Sequence, residues 1–145
     1  MFKHVLLPTD GSELSEMAIR DGIRFAKESN AKVTGVSVTP EYHLLALDAA
    51  MLQDTEEEFL AASQAQAKKH LAMLQKAAAE EGVSCEVELE INDHPFEAII
   101  RTAERKGCDL ILMASHGRRG VKGLLLGSET QKVLTHTRIP VLVFR

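Results

Sequence analysis

The chain has 145 residues, 17 basic and 21 acidic, for a formal net charge of −4. That length fits one domain, residues 1–145, because about 150 residues bury roughly 70% of the unfolded chain's surface. The acidic balance argues against nonspecific nucleic-acid or anionic-lipid partners, and no run nears the roughly 18 apolar residues of a membrane span, so a cytoplasmic protein is expected.

Residues 4–7 are a short apolar run stopped by Pro8 and Asp10, as in a strand covered on both faces and unlike a secretory leader. From Glu13 to Ser29, the residues Leu14, Met17, Ala18, Ile23, Phe25 and Ala26 make a helical stripe that Asp10 or Ser12 can cap. Lys32 to Thr39 is rich in valine and threonine and reads as a strand ending at Pro40. Residues 41–54 carry Leu44, Leu45, Leu47, Met51 and Leu52, too apolar for a plain solvated loop. A lid, a partner surface, or a first helical turn packed on the core would each explain them.

Residues 55–81, dense in alanine, glutamine, lysine and glutamate, predict one long helix closed by Gly82. Residues 84–91 alternate Val87, Leu89 and Ile91 with Glu86, Glu88 and Glu90, the pattern of a half-exposed strand at a sheet edge. Pro95 then opens a helix with Phe96, Ile99, Ile100 and Ala103 at i, i+3, i+4 and i+7. Leu110 to Ala114 reads as a second buried strand, residues 128–137 as the last helix, and Val141 to Phe144 as the last strand. Strands and helices alternate throughout, which implies a doubly wound parallel sheet with right-handed crossovers.

In such a sheet ligands collect beyond the carboxyl ends of the strands, where the winding reverses. Four segments would meet there: Pro8, Thr9, Asp10 and Gly11; Val38 and Thr39; Met113, Ala114, Ser115, His116 and Gly117; and Gly127 with Ser128. Asp10 can accept from a ribose hydroxyl, while Gly117 and Gly127 let backbone approach phosphate oxygens. Ser128 and Gln131 match a capping box, whose remaining N–H groups sit at a positive dipole end. Arg118, Arg119 and Lys122 add positive charge to the intervening loop. Taken singly, Ser128 and Asp10 read as helix caps, the arginines as a solvated face, and Gly117, Gly120 and Gly123 as ordinary loop glycines. Their joint placement at strand ends favours a nucleotide.

The chain resembles the universal stress protein family from end to end. The resemblance rests on the opening Lys3 to Ser12, the helix with Pro95, Ile99 and Ala103, the run Asp109 to Gly117, and Leu126–Gly127–Ser128 through Pro140 to Val143. The ATP-binding branch carries glycine, two residues, glycine, nine residues, then glycine and serine or threonine. This chain has Ala114, Gly117, Gly127 and Ser128 at those positions, with alanine for the first glycine. The resemblance implies a five-stranded doubly wound sheet, order 3-2-1-4-5, of adenine nucleotide alpha hydrolase-like type. It implies ATP, ADP or AMP as ligand, with Mg²⁺ or Mn²⁺ carried by the phosphates. Asp10 and Ala114 would flank the ribose and Val38 the adenine; Gly117, Arg118, Gly127, Ser128 and Glu129 would surround the phosphates, with Pro8, Thr9, Met113, Ser115, His116, Arg119 and Thr130 completing the site. The family forms dimers, and Val141, Leu142, Val143 and Phe144 offer a pairing edge.

No Walker loop, Rossmann glycine fingerprint, pyrophosphatase loop or nucleophile elbow occurs. The six histidines have no zinc-type spacing with cysteine or carboxylate, so no metal ligands are expected. Cys85 and Cys108 have no motif partner and read as reduced thiols. No residue set demands catalysis. The leading expectation is a stress-response protein that binds an adenine nucleotide and changes partner interactions with occupancy. A dimeric module with a vestigial pocket, favoured by Ala114, and a slow nucleotide hydrolase, favoured by Asp10, are the alternatives.

Overall fold

A computed structural model describes residues 1–43, 56–116 and 126–145. Among these residues five strands and four helices alternate: β1 (His4–Pro8), α1 (Glu13–Ser29), β2 (Lys32–Thr39), α2 (Glu56–Glu80), β3 (Cys85–Ile91), α3 (Pro95–Lys106), β4 (Leu110–Ala114), α4 (Ser128–His136) and β5 (Val141–Phe144). The strands form one parallel sheet in the order β3-β2-β1-β4-β5. Element boundaries fall within a residue or so of those the sequence pattern predicts.

The strand period of two divides the core. Val5, Leu7, Val33, Leu110 and Leu112 join Ala18, Ile23 and Ala26 of α1 and Leu74 and Ala78 of α2 on one face. Leu6, Val36, Ile111 and Met113 join Ile99 and Ala103 of α3 and Val133 of α4 on the other. Burial on both faces explains why β1 and β4 carry unbroken apolar runs, as parallel strands do. On the edge strand β3, Glu88 and Glu90 are half-buried and matched from α3: Lys106 Nζ lies 2.7 Å from Glu88 Oε1, and Arg105 Nη2 2.8 Å from Glu90 Oε1.

Helix ends follow local rules. Ser12 caps α1 by accepting the Ser15 N–H, and Asn30 ends it in the left-handed region. Pro95 stands in the first turn of α3, and Gly107 closes it with φ 71°. The start of α4 departs from the expected capping box. Gly127 is the N-cap, without a side-chain cap hydrogen bond, and Ser128 is the first helical residue. Gln131 Nε2 instead donates to Leu126 O at 3.1 Å. A tight approach of Gly127 to the end of β4 sets this register. The helix also stops at His136, with Thr137 as its C-cap.

Candidate functional site

The chain leaves β1 toward β2 but leaves β4 toward β5, so the winding reverses between β1 and β4. Pro8 pairs in register with Val36, and the buried Thr9 extends the ladder by donating its N–H to Val36 O at 2.8 Å. Asp10 follows in an Asx turn, with Oδ1 accepting the Ser12 N–H at 3.0 Å. Asp10 therefore orders the turn that places the cap, while Ser12 performs the capping. Gly11 has φ 76°, and a Cβ there would lie 2.3 Å from the His70 ring. The α2 imidazole thus seats directly on the turn. Sequence reasoning missed His70, because nothing in the composition of α2 distinguishes it; only glycine after Asp10 hinted at a close approach.

On the other side of the reversal, Met113 and Ala114 finish β4 as buried strand residues. Ala114 does not take a positive φ, Asn30 being the one described non-glycine residue that does. Its carbonyl accepts from Thr130 Oγ1 of α4 at 2.9 Å, and the Ser115 N–H donates to Phe144 O at 2.6 Å. The Gly127 N–H donates to Ser115 O at 2.6 Å. Gly127 has an ordinary φ of −70°, but a Cβ would stand 3.1 Å from Ser115 O and 3.3 Å from His116 Cα. Glycine is required there for proximity, and the contact pins the first turn of α4 to the end of β4.

Two buried polar atoms at this rim have no hydrogen-bond partner among the described residues: Thr39 Oγ1, at the end of β2, and His116 Nε2. The His116 Nδ1 lies 2.9 Å from Ser115 Oγ. Val38 is half-buried and packs on the α3 side of the sheet. Ser128 is exposed at the open end of α4. The Glu129 carboxylate is engaged elsewhere: Oε2 accepts the Phe96 N–H of α3 at 2.9 Å, and Lys132 Nζ lies 3.4 Å from Oε1. Its backbone N–H is what it can offer a ligand. Gly117, Arg118 and Arg119, with Gly120, Lys122 and Gly123, lie outside the described residues, as does the apolar segment 44–55.

The structure therefore brings Thr9, Asp10, Ala114, Ser115, His116, Gly127 and Thr130 to one end of the β1–β4 boundary. The arrangement suits an anion, since a glycine N-cap has no side chain of its own to accept from the first-turn amides at the positive dipole end. Cysteine chemistry does not belong to it. Burial pushes the thiols of Cys85 and Cys108 up to about 11, so both stay protonated near neutrality.

A doubly wound α/β sheet with its switch point at β1 and β4 defines the class. Within it, the universal stress protein family model matches residues 1–145. YxiE of Bacillus subtilis is 32% identical over the full length of both chains. MJ0531 of Methanocaldococcus jannaschii is also 32% identical, over all of this chain and 83% of that one. The chain belongs to the universal stress protein family. The structure of UspA from Lactobacillus plantarum superposes with a TM-score of 0.85 at 26% identity, covering 99% of this chain and 98% of that one. Two more distant structures share the fold. One is a universal stress protein in complex with cAMP, 21% identical with a TM-score of 0.69; the other, from Archaeoglobus fulgidus, is in complex with dAMP, 18% identical with a TM-score of 0.70.

Proposed function

We propose that this protein binds an adenine nucleotide, ATP or its AMP or ADP relatives, at the β1–β4 switch point and acts as a nucleotide-dependent regulatory or interaction module. The observation that carries the reading is the seating of Gly127 on Ser115 and His116, which brings the glycine-capped start of α4 to the end of β4. The orphaned His116 Nε2 and Thr39 Oγ1 are polar atoms a ligand can satisfy. Family members of this fold in complex with cAMP and dAMP support the ligand class.

In this reading phosphate oxygens meet the amides of residues 128–130 and the cations of Arg118 and Arg119, while Gly117 gives backbone access. Mg²⁺ or Mn²⁺ arrives with the phosphates. Asp10 takes the ribose, and Val38 meets the base. No side chain is assigned as a base for an attacking water, so signalling by occupancy is favoured over turnover. A cytoplasmic homodimer through β5 completes the proposal.

Purified protein, once denatured, should release an adenine nucleotide detectable by chromatography and ultraviolet absorbance. Absence of nucleotide, together with no thermal shift at millimolar ATP-Mg, would leave a dimeric module with a vestigial pocket. Because Ala114 occupies extended backbone, Ala114→Gly should bind ATP equally or more tightly, at a folding cost of about 0.5–1 kcal/mol. Weaker binding in that variant would show that the Ala114 methyl supports the ligand rather than obstructing it, and would overturn this reading of the position.

A further inference from the structure

A second cluster lies at the same rim of the sheet but on its β2–β3 side. Glu41, two residues beyond β2, His43, and Asp93, two residues beyond β3, place one donor atom each within 4.8 Å of one another. From this convergence the geometry points to a divalent transition-metal site, for which Zn²⁺ is the fitting ion, independent of the nucleotide crevice.

The loops carrying these donors are already tied together. The Asn92 N–H donates to Thr39 O at 2.9 Å, extending the β2–β3 ladder past the strand ends. The Glu41 N–H donates to Asp93 Oδ1 at 3.0 Å, and Asp93 Oδ2 pairs with His43 Nε2. Between the two β2-side ligands, the Tyr42 ring packs 5.5 Å from Phe59 of α2. With Tyr42 held by α2, Glu41 and His43, two apart in the chain, both come within reach of Asp93. All three side chains are exposed, so an ion has a free path in and water can complete its shell.

The donor chemistry selects the ion. Two carboxylates offset a charge of +2, while an imidazole nitrogen is a poor ligand for Mg²⁺ or Ca²⁺, which take oxygen. One imidazole and two carboxylates suit four-coordinate Zn²⁺ with an open position; the first-row affinity order peaks at Cu²⁺ and falls at Zn²⁺, so ligand type and geometry carry the choice of ion. On binding, the ion takes the place of the hydrogen bond between His43 Nε2 and Asp93 Oδ2, whereas Asp93 Oδ1 keeps the Glu41 N–H as an orienting outer bond. Strand β3 lies two strands from β1, about 10 Å across the sheet, so this ion is not the one that accompanies phosphates at α4.

Co²⁺ is the probe, followed by its visible absorption in untagged full-length protein. One equivalent should bind, be displaced by Zn²⁺ and resist millimolar Mg²⁺. His43→Gln and Asp93→Asn should each weaken binding at least about tenfold, while Asp10→Ala leaves it unchanged. Glu41→Gln retains the backbone bond to Asp93 and should also weaken Co²⁺ binding, which keeps the test valid if Asp93→Asn unfolds. Absence of stoichiometric binding, or binding undiminished in both the His43 and Glu41 variants, would overturn the assignment and leave an ion pair that staples two loops.

Discussion

At position 11 two constraints meet, a positive φ and the face of the His70 ring. Gly11→Ala should therefore lose about 1–2 kcal/mol from the left-handed backbone, with a smaller addition from moving the partly exposed His70 ring aside. Adding His70→Ala should restore only the steric part, so urea unfolding of the double variant should still show the backbone cost. His4 makes a different demand. It is buried in β1, with Nε2 2.7 Å from Thr34 Oγ1, which in turn donates to Glu86 Oε1 at 3.2 Å. Burial first, and the Lys32 ammonium second, hold its imidazole below the ordinary 6.5, against the opposing pull of the Glu86 and Asp109 carboxylates. The unfolded chain thus takes up the proton before the folded one. The stability His4 contributes is complete above about pH 6.5 and declines as pH falls through the lowered folded value. Unfolding titrations between about pH 7 and 5 should show this slope, and His4→Gln should flatten it.

Among the elements, α4 shows how one short helix serves two attachments. Its first turn is pinned to β4 through Gly127 and Thr130, while Glu129 reaches sideways to cap the start of α3 at Phe96. No side-chain cap of its own serves α3, whose N-cap position is His94. Glu129→Ala should therefore cost about 1 kcal/mol by removing that acceptor, measurable by denaturant unfolding, with no direct loss of a phosphate ligand. The periodicity of residues 95–106 and 128–136 made both helices legible in the sequence. The capping box did not survive, because Ser128 and Gln131 satisfied a local pattern while the packing of Gly127 on Ser115 determined where the helix starts. Asp10 illustrates the same limit: its position was legible, but whether it or Ser12 capped α1 depended on the turn.

For the whole molecule, the two edges of the sheet differ. Among the described residues each edge strand has one neighbour; β3 carries glutamates paired with Arg105 and Lys106 beside an exposed Ile91, whereas β5 carries no charged residue and leaves Leu142 exposed. Charged edges discourage strand addition, and an apolar one permits it. If the homodimer forms through β5, Leu142→Asp should convert it to a monomer in sedimentation experiments, with the sheet's circular dichroism unchanged. An unchanged mass would place the interface elsewhere.

The sequence by itself determined the order of elements, the parallel sheet and the family, because hydrophobic period, glycine and proline punctuation and motif spacing are local signals. Only the tertiary structure decided that His70 covers Gly11, that Glu129 caps α3, and that His43 stands beside Glu41 and Asp93. His70 and Gly11, Glu129 and Phe96, and Asp93 and His43 are far apart in the chain and share no repeating pattern. Their meeting depends on how the sheet register and helix packing bring distant segments together.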